Sequence, residues 1–131
     1  MTLIFGGAYQ GKLDYALETF TLTDADVYRC KRDGEIDLDR RIIYGLEEFV
    51  YWCTENGLEA RTVLESRFDY KAGGHLYSDK IFIACDVSQG LVPMDATDRA
   101  FREMMGRTLL HLAKEADSVH RVFCGIGQKL K

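Results

Sequence analysis

The apolar positions of the chain follow two patterns, which together predict strands that alternate with helices. Short apolar runs predict β-strands at 2–5, 27–30, 60–64, 80–86 and 119–124. Apolar residues spaced three and four positions apart predict helices at 14–20, 37–55 and 97–116. The run from Ile81 to Ala84 does not alternate, which is typical of a strand covered on both faces. Strands and helices in alternation indicate an α/β fold with a mainly parallel sheet flanked by helices.

The helix predicted at 37–55 has the clearest apolar stripe of the first half. The residues of this stripe are Ile42, Leu46, Phe49, Val50 and Cys53. Asp37 is the expected N-cap, and Gly57 is a natural stop because glycine accepts the left-handed conformation at a helix end. Polar and glycine-containing stretches predict loops at 67–79 and 88–95.

The composition is that of an ordinary globular domain. The chain has 131 residues, of which 47% are hydrophobic and 29% are charged, and this balance excludes disordered and coiled-coil classes. We therefore expect residues 1–131 to form a single domain. A transmembrane helix would need about 18 consecutive apolar residues, and the sequence has no such stretch. The N-terminus also lacks the features of a signal peptide, so we expect a cytoplasmic protein without membrane association.

Charge and cysteine usage exclude two further classes. Lys and Arg number 17 against 21 Asp and Glu, a net charge of -4, which argues against nucleic-acid binding by phosphate neutralisation. The four cysteines, Cys30, Cys53, Cys85 and Cys124, are widely scattered. Without a CxxC pair a structural zinc site has little support. We expect buried free thiols.

The most informative segment is residues 6–13, which match the pattern G-x-x-x-x-G-K between the first predicted strand and the first predicted helix. Glycines let backbone amides point at phosphate oxygens, and the next helix presents its positive end to the same anion. Lys12 would reach the outer phosphates. The alternative is a glycine-rich turn with an exposed lysine. The candidate nucleotide-binding residues are Gly6, Gly7, Ala8, Tyr9, Gln10, Gly11, Lys12 and Leu13.

A phosphate loop that uses Mg²⁺ needs oxygen ligands nearby. The full motif ends in Ser or Thr, whose hydroxyl binds the metal, whereas Leu13 cannot. An acid at a strand tip could hold Mg²⁺ directly or through water. Glu65 ends the strand predicted at 60–64 and Asp86 ends the one at 80–86, where open α/β sheets gather ligands. The candidate catalytic residues are therefore Lys12, Glu65 and Asp86, with Glu65 and Asp86 also candidate metal ligands; the alternative for each acid is a solvated strand end.

Several segments carry a resemblance to a known family. They are the loop 6–12, Gln89-Gly90-Leu91-Val92-Pro93, Phe101-Arg102-Glu103, Gly106-Arg107, Ala116-Asp117 with Val119, and Gly125-Ile126-Gly127-Gln128-Lys129. The chain resembles the adenosylcobinamide kinase / adenosylcobinamide-phosphate guanylyltransferase family of cobalamin biosynthesis. The match is close over 3–12 and 85–131 and thin between. The resemblance implies a P-loop NTPase-like fold, ATP or GTP with Mg²⁺, a corrinoid substrate and a homo-oligomer.

The departures from that family concern its chemistry. The resemblance implies a helix histidine that takes GMP covalently, and after Arg41-Ile42 its expected position is occupied by Tyr44. None of His75, His111 and His120 falls in that helix. Without this nucleophile a guanylylated enzyme cannot form by the family route. The chain is also shorter than the family pattern between Glu65 and Lys80.

Two functional hypotheses follow. The first is a cobinamide kinase-like enzyme that transfers a phosphoryl group from ATP or GTP to adenosylcobinamide and has lost the guanylyltransferase half-reaction. The second is a catalytically degenerate relative that binds a nucleotide or a protein partner. Leu13 and Tyr44 favour the second hypothesis, while phosphoryl transfer depends mainly on positioning and charge neutralisation and could survive both changes.

Overall fold

The computed structural model describes residues 1–69, 77–87 and 95–131, and its centre is a six-stranded sheet. The strands lie in the order β2-β3-β4-β1-β5-β6. Their bounds are β1 Thr2–Gly6, β2 Val27–Arg29, β3 Ile42–Tyr44, β4 Ile81–Cys85, β5 Ser118–Phe123 and β6 Ile126–Lys129. Neighbouring strands are parallel except β5 and β6, which form an antiparallel hairpin. The predicted α/β fold with a mainly parallel sheet is confirmed.

Helices cover both faces of this sheet. The α-helices in the described ranges are α1 Lys12–Phe20, α2 Leu46–Glu55, α3 Ala60–Asp69 and α4 Ala96–Glu115. Phe82 and Ala84 of β4 pack in the core that α2, α3 and α4 cover, while Ile81 and Ile83 pack in the core beneath α1. Successive strand residues point to opposite faces, so the apolar run of β4 serves two cores, as its pattern predicts.

The strand register determines where the loops meet. β4 lies between β1 and β3, with Gly6 opposite Cys85 and Tyr44 opposite Ile83. Parallel strands end at the same edge of a sheet. The segments that follow β1, β3 and β4 therefore share one edge, and this edge includes the glycine loop.

The helix predicted at 37–55 is wrong in its first half. Ile42–Tyr44 forms β3, and the helix α2 begins only at Leu46. Gly45 separates the two elements with a φ of 75° and is the N-cap of α2 in place of the expected Asp37. The error arises because Ile42 and Leu46 lie four residues apart, a spacing that fits a helix, although β-branched isoleucines favour a strand.

The strand predicted at 60–64 is also wrong, because residues from Ala60 to Asp69 form the helix α3. Ala60, Leu64 and Phe68 are all buried, and their spacing of four places them on one helix face. The first part of the loop predicted at 67–79 therefore belongs to this helix. Glu65 lies within α3 and does not end a strand.

The C-terminal part contains a strand that the pattern did not predict. β5 ends at Phe123, and after Cys124 and Gly125 the chain turns back as β6, an edge strand of the sheet. Cys30 and Cys53 are buried free thiols as expected, whereas Cys85 is half-buried and Cys124 is exposed. The predicted loop at 88–95, the segment Gln89 to Pro93 and His75 lie outside the described residues, apart from Asp95, which caps α4.

Among the described residues, no helix has the length and hydropathy needed to cross a bilayer.

Candidate functional site

The glycine loop connects the end of β1 to the start of α1, as its sequence pattern predicts. Gly6 is the last residue of β1, and a Cβ atom there would overlap the carbonyl oxygen of Val122 on β5. Gly11 is the N-cap of α1 with a φ of 82°, a conformation that glycine adopts without strain. These two glycines are therefore required by close approach and by backbone conformation. Tyr9, also at positive φ, is fully exposed at the loop.

Lys12 is the first residue of α1, and its side chain is turned inward. Only 7% of its surface is exposed, and its Nζ donates a hydrogen bond of 2.7 Å to the carbonyl oxygen of Gly7. The ammonium group therefore lies against the loop that precedes it. The exposed lysine expected in the alternative interpretation is wrong, because this lysine is buried; that the glycine-rich turn binds a nucleotide stays a prediction.

The loop is also attached to the turn between β5 and β6. The backbone amide of Gly125 donates to the carbonyl oxygen of Gln10 at 2.8 Å, and the amide of Cys124 donates to Oε1 of Gln10 at 2.7 Å. A Cβ atom on Gly11 would lie 3.3 Å from the Cα of Gly125. Gln10 thus anchors the glycine loop to an element from the far end of the chain.

Among the described residues, two cavities border the loop. The first has a volume of about 280 Å³ and is lined by Ala8, Tyr9, Gln10, Gly11, Lys12, Leu13, Asp14, Tyr44, Glu47 and Cys85. The second has a volume of about 480 Å³ and is lined by Gly6, Gly7, Ala8, Gln10, Cys85, Asp86, Val87, Arg121, Val122 and Phe123. Charged side chains of both signs line each cavity. A concave site with a few convergent polar groups is the usual form of a ligand-binding site.

Glu47 is a site residue that the sequence pattern did not identify. It lies in the first turn of α2, directly after β3, and its Oε2 accepts a hydrogen bond of 3.3 Å from the backbone amide of Cys85. Burial raises the pKa of Glu47 above its ordinary value, although backbone hydrogen bonds and the positive charge of Lys12 oppose this change. Had Ile42–Tyr44 been identified as a strand, Glu47 would have been a candidate acid at the sheet edge.

Asp86 lies where the sequence predicts it, immediately after β4 and beside the glycine loop. Its backbone amide donates to the carbonyl oxygen of Gly6 at 2.8 Å. Asp86 lines the second cavity together with Gly6 and Gly7. Its position at a strand end is confirmed, while its role as a catalytic or metal-binding acid stays a prediction.

Glu65 does not lie at the glycine loop. Its Oε1 is 3.0 Å from Nε of Arg61, one turn earlier on α3, and 3.7 Å from Nε2 of His111 on α4. Glu65 lines neither of the two cavities at the glycine loop. The structure therefore does not bring this acid together with Lys12 and Asp86, and the strand end on which its predicted role depended is absent.

Tyr44 and the described histidines bear on the histidine nucleophile that the family resemblance implies. Tyr44 is the last residue of β3, whereas the sequence predicts it inside a helix, and it lines the first cavity. The guanidinium of Arg29 lies 5.3 Å from the centre of its ring. His111 is hydrogen-bonded to Tyr77 at 2.9 Å, and His120 to Tyr15 at 2.8 Å. Neither histidine lines the two cavities.

Leu13 and the acids limit how a metal could be held. The half-buried side chain of Leu13 packs against the core beneath α1 and offers no oxygen ligand. Within the described ranges, no group of three or more His, Cys, Asp or Glu side chains is arranged to hold a metal ion. Mg²⁺ commonly keeps several waters and uses only one or two carboxylates together with substrate phosphates. Asp86 beside the loop is a donor of this kind, so the residues fit a phosphate-bound Mg²⁺ better than an all-protein site.

Comparison with known proteins shows which protein family the chain matches. The family model described as cobinamide kinase / cobinamide phosphate guanyltransferase matches residues 53–130, which is more than half of the chain. The match begins after the glycine loop and includes β4, α4 and the β5–β6 hairpin. No curated protein matches the chain.

Proposed function

Because the chain belongs to the cobinamide kinase / cobinamide phosphate guanyltransferase family, we propose that it is a kinase-like enzyme of cobalamin biosynthesis. In this proposal it transfers the terminal phosphoryl group of ATP or GTP to a hydroxyl group of adenosylcobinamide. The family implies cobalamin biosynthesis and nucleoside triphosphates as co-substrates. The choice of the kinase half-reaction and the site residues are our inference from the geometry.

The observation that carries the proposal is the position of Lys12. The residue follows the glycine loop, lines a cavity at the carboxyl edge of the sheet, and has its ammonium group on the loop side. An ammonium group and inward-facing loop amides are what the phosphates of a nucleotide require. On binding, Nζ of Lys12 would leave the carbonyl oxygen of Gly7 and contact the outer phosphates. Gly6 to Leu13 would form the surrounding cradle.

Asp86 is the acid that we assign to the metal. It lines the cavity next to Gly6 and Gly7, so it borders the place that a cation on the phosphates of a nucleotide in the loop would occupy. Mg²⁺ supplies neutralisation of the charge that develops on the transferred group. We do not extend this role to Glu65, whose side chain is engaged by Arg61 on α3.

We further propose that the guanylyltransferase half-reaction is lost. A covalent GMP intermediate on histidine needs an accessible imidazole at the nucleotide. Among the described residues, His111 and His120 are both buried and hydrogen-bonded to tyrosines. Tyr44 lines the first cavity, but a phenol is neutral near pH 7 and is a weak nucleophile without a base.

The alternative is a catalytically degenerate relative that binds a nucleotide or a protein partner without transferring phosphate. Leu13 favours it, because this position lacks the hydroxyl that binds Mg²⁺ in the full motif. The kinase and a nucleotide-binding relative make the same prediction for nucleotide binding and differ in the transfer of phosphate to the corrinoid.

Thermal unfolding with and without millimolar Mg-ATP or Mg-GTP tests the proposal, together with transfer of labelled phosphate to adenosylcobinamide. A ligand that binds only the native state raises the melting temperature. At a free ligand concentration of 100 times Kd, it raises the free energy of unfolding by about 2.7 kcal/mol. We expect this increase in the wild type and in Lys31→Ala, which changes an exposed lysine, but not in Lys12→Ala. Absence of any increase in the wild type contradicts the kinase proposal and leaves only the partner-binding form of the alternative. An increase without phosphate transfer supports the alternative.

A further inference from the structure

We propose that Glu47 contacts the hydroxyl group that accepts the phosphoryl group, and that the cavity it shares with Lys12 holds the hydroxyl-bearing end of the acceptor. This inference rests on the proposed kinase function and assigns the acceptor side of the same site. It concerns the first cavity, between the glycine loop, Tyr44, Glu47 and Cys85.

The topology brings Glu47 to this place. β4 lies between β1 and β3, so the start of α2, which follows β3, is next to the end of β4 and one strand away from the glycine loop. The hydrogen bond from the amide of Cys85 to Oε2 of Glu47 fixes the carboxylate at this edge. Lys12 and Glu47 line the same cavity, and the charge of Lys12 acts on the pKa of Glu47.

The position of Glu47 differs from that of an acid that only stabilises a helix. Acidic residues in the first turn interact favourably with the helix dipole, and both Glu47 and Glu48 occupy that turn. Glu48 is paired with Arg32 at 2.7 Å, and it lines neither cavity at the loop. Glu47 instead faces the cavity, although burial makes its charged form costly. A purely helical role does not require an acid in the cavity.

The size of the cavity limits what can enter it. A volume of about 280 Å³ is at the lower limit of sites that enclose a drug-sized molecule, about 300 Å³. Such a cavity accommodates a small alcohol or the end of a side arm and is too small for a corrin ring. The ring would therefore remain outside, and only the arm that carries the hydroxyl group would approach Lys12.

In the reaction, the acceptor oxygen attacks the terminal phosphorus of the nucleoside triphosphate. A bond forms between that oxygen and phosphorus, and the bond from phosphorus to the bridging oxygen breaks, so the nucleoside diphosphate leaves with the electron pair. The proton of the hydroxyl group passes to the carboxylate of Glu47. Before the transfer, the same carboxylate accepts a hydrogen bond from the hydroxyl group and orients it, as a general base requires.

The test compares the wild type with Glu47→Gln and with the matched control Glu48→Gln. Glutamine keeps the shape of the side chain and removes the base, and general bases commonly contribute about 10²–10⁴-fold to rate. We expect Glu47→Gln to lower the kcat for transfer to adenosylcobinamide at least a hundredfold and to raise the corrinoid Kd, measured by its visible absorbance. The nucleotide Kd, the Mg²⁺ concentration for half-maximal rate and the melting temperature should remain close to those of the wild type. Glu48→Gln should keep the wild-type kcat.

Each result that would contradict the proposal leads to a different conclusion. If the wild type transfers phosphate and Glu47→Gln does so at the rate of Glu48→Gln, the assignment of Glu47 is overturned and the kinase function stands. If Glu47→Gln mainly raises the Mg²⁺ requirement, Glu47 holds the cation and its contact with the acceptor is refuted. If the wild type binds nucleotide but transfers no phosphate to adenosylcobinamide, the proposed function itself fails and this assignment fails with it.

Discussion

The backbone amide of Cys124 donates a hydrogen bond of 2.7 Å to Oε1 of Gln10, a residue 114 positions earlier in the chain. The next residue, Gly125, donates its amide to the carbonyl oxygen of the same Gln10. The β5–β6 turn therefore holds the middle of the glycine loop by two bonds. A loop that is fixed before a ligand arrives loses less conformational entropy on binding than a free one.

Gln10→Ala removes the side-chain bond and keeps the backbone bond. One lost hydrogen bond costs about 0.5–1.5 kcal/mol of net stability, so urea unfolding should show a decrease of this size. Nucleotide affinity, measured by calorimetry, should fall several-fold because the loop is less well fixed. Gln128→Ala, on the exposed face of β6, is the control and should change neither quantity. Equal nucleotide affinity in the wild type and Gln10→Ala would refute the role of this bond.

Gly6→Ala should destabilise the fold. The added Cβ would overlap the carbonyl oxygen of Val122 on the neighbouring strand, and overpacking of this kind typically costs about 1–3 kcal/mol. Gly106→Ala is the control, because its Cβ meets no atom within 4 Å and alanine is favoured in a helix interior by up to about 1 kcal/mol. The free energies of unfolding should change in opposite directions. A tolerated Gly6→Ala would show that β1 and β5 do not approach each other as closely as described.

The free energy of unfolding should decrease as the pH drops below the ordinary pKa of histidine. Burial lowers the pKa values of His111 and His120 from 6.5, and the positive charges of Arg61 and Lys129 act in the same direction. The unfolded chain therefore binds these protons more readily than the folded chain. Their contribution to stability is complete above about pH 6.5 and is lost as the pH falls towards the folded pKa values, with about 1.4 kcal/mol for each unit of pKa difference.

Urea unfolding at pH 7.5 and pH 5 measures this effect. The variants His111→Gln and His120→Gln should each be less stable than the wild type at pH 7.5, because the first loses a buried and the second a partly buried hydrogen bond to a tyrosine. Each should also lose less stability than the wild type between the two pH values. A decrease of the same size in all three proteins would assign the acid sensitivity to other groups.

Leu13→Ser should restore a missing metal ligand. A serine at this position supplies the hydroxyl that binds Mg²⁺ in the full loop motif. We expect the Mg²⁺ concentration for half-maximal nucleotide stabilisation to fall about tenfold, which corresponds to about 1.4 kcal/mol. Leu13→Ala removes the same apolar contacts without adding an oxygen, so it is the matched control for lost packing. If serine and alanine give the same Mg²⁺ requirement, the nucleotide does not bind with its metal at this position.

The sequence predicts an element correctly where the apolar pattern fits either a strand or a helix but not both. The continuous apolar run of β4 fits only a strand, and the long stripe of α4 fits only a helix. Residues 42–46 fit both, since Ile42 and Leu46 are four apart and yet the run is β-branched. The decisive feature is the positive φ of Gly45, which depends on the whole chain path. Residues 60–64 taken alone fit a strand, and the helix spacing becomes clear only with Phe68, the third member of the buried face with Ala60 and Leu64.

The residues of the candidate site also differ in whether a local pattern identifies them. The glycine loop and Asp86 could be identified from local spacing, because each lies next to a strand that the pattern predicts correctly. Glu47 could not be identified, because its importance depends on β3 pairing with β4. Glu65 is a strand-end acid only if residues 60–64 form a strand, and these residues belong to the helix α3. The contact between Gln10 and Cys124 is long-range and has no local signal.

The bond between the Lys12 ammonium and the Gly7 carbonyl has a consequence for ligand choice. In the resting protein this positive charge is already engaged, so an incoming anion must compete with the loop's own oxygen. A small monovalent anion makes too few contacts with the loop to compensate for the loss of that bond. A chain of linked phosphates presents several oxygens to the amides at once, and we expect it to displace the carbonyl. The loop would thereby discriminate among anions by their valence and length, independently of any contact with a base or a sugar.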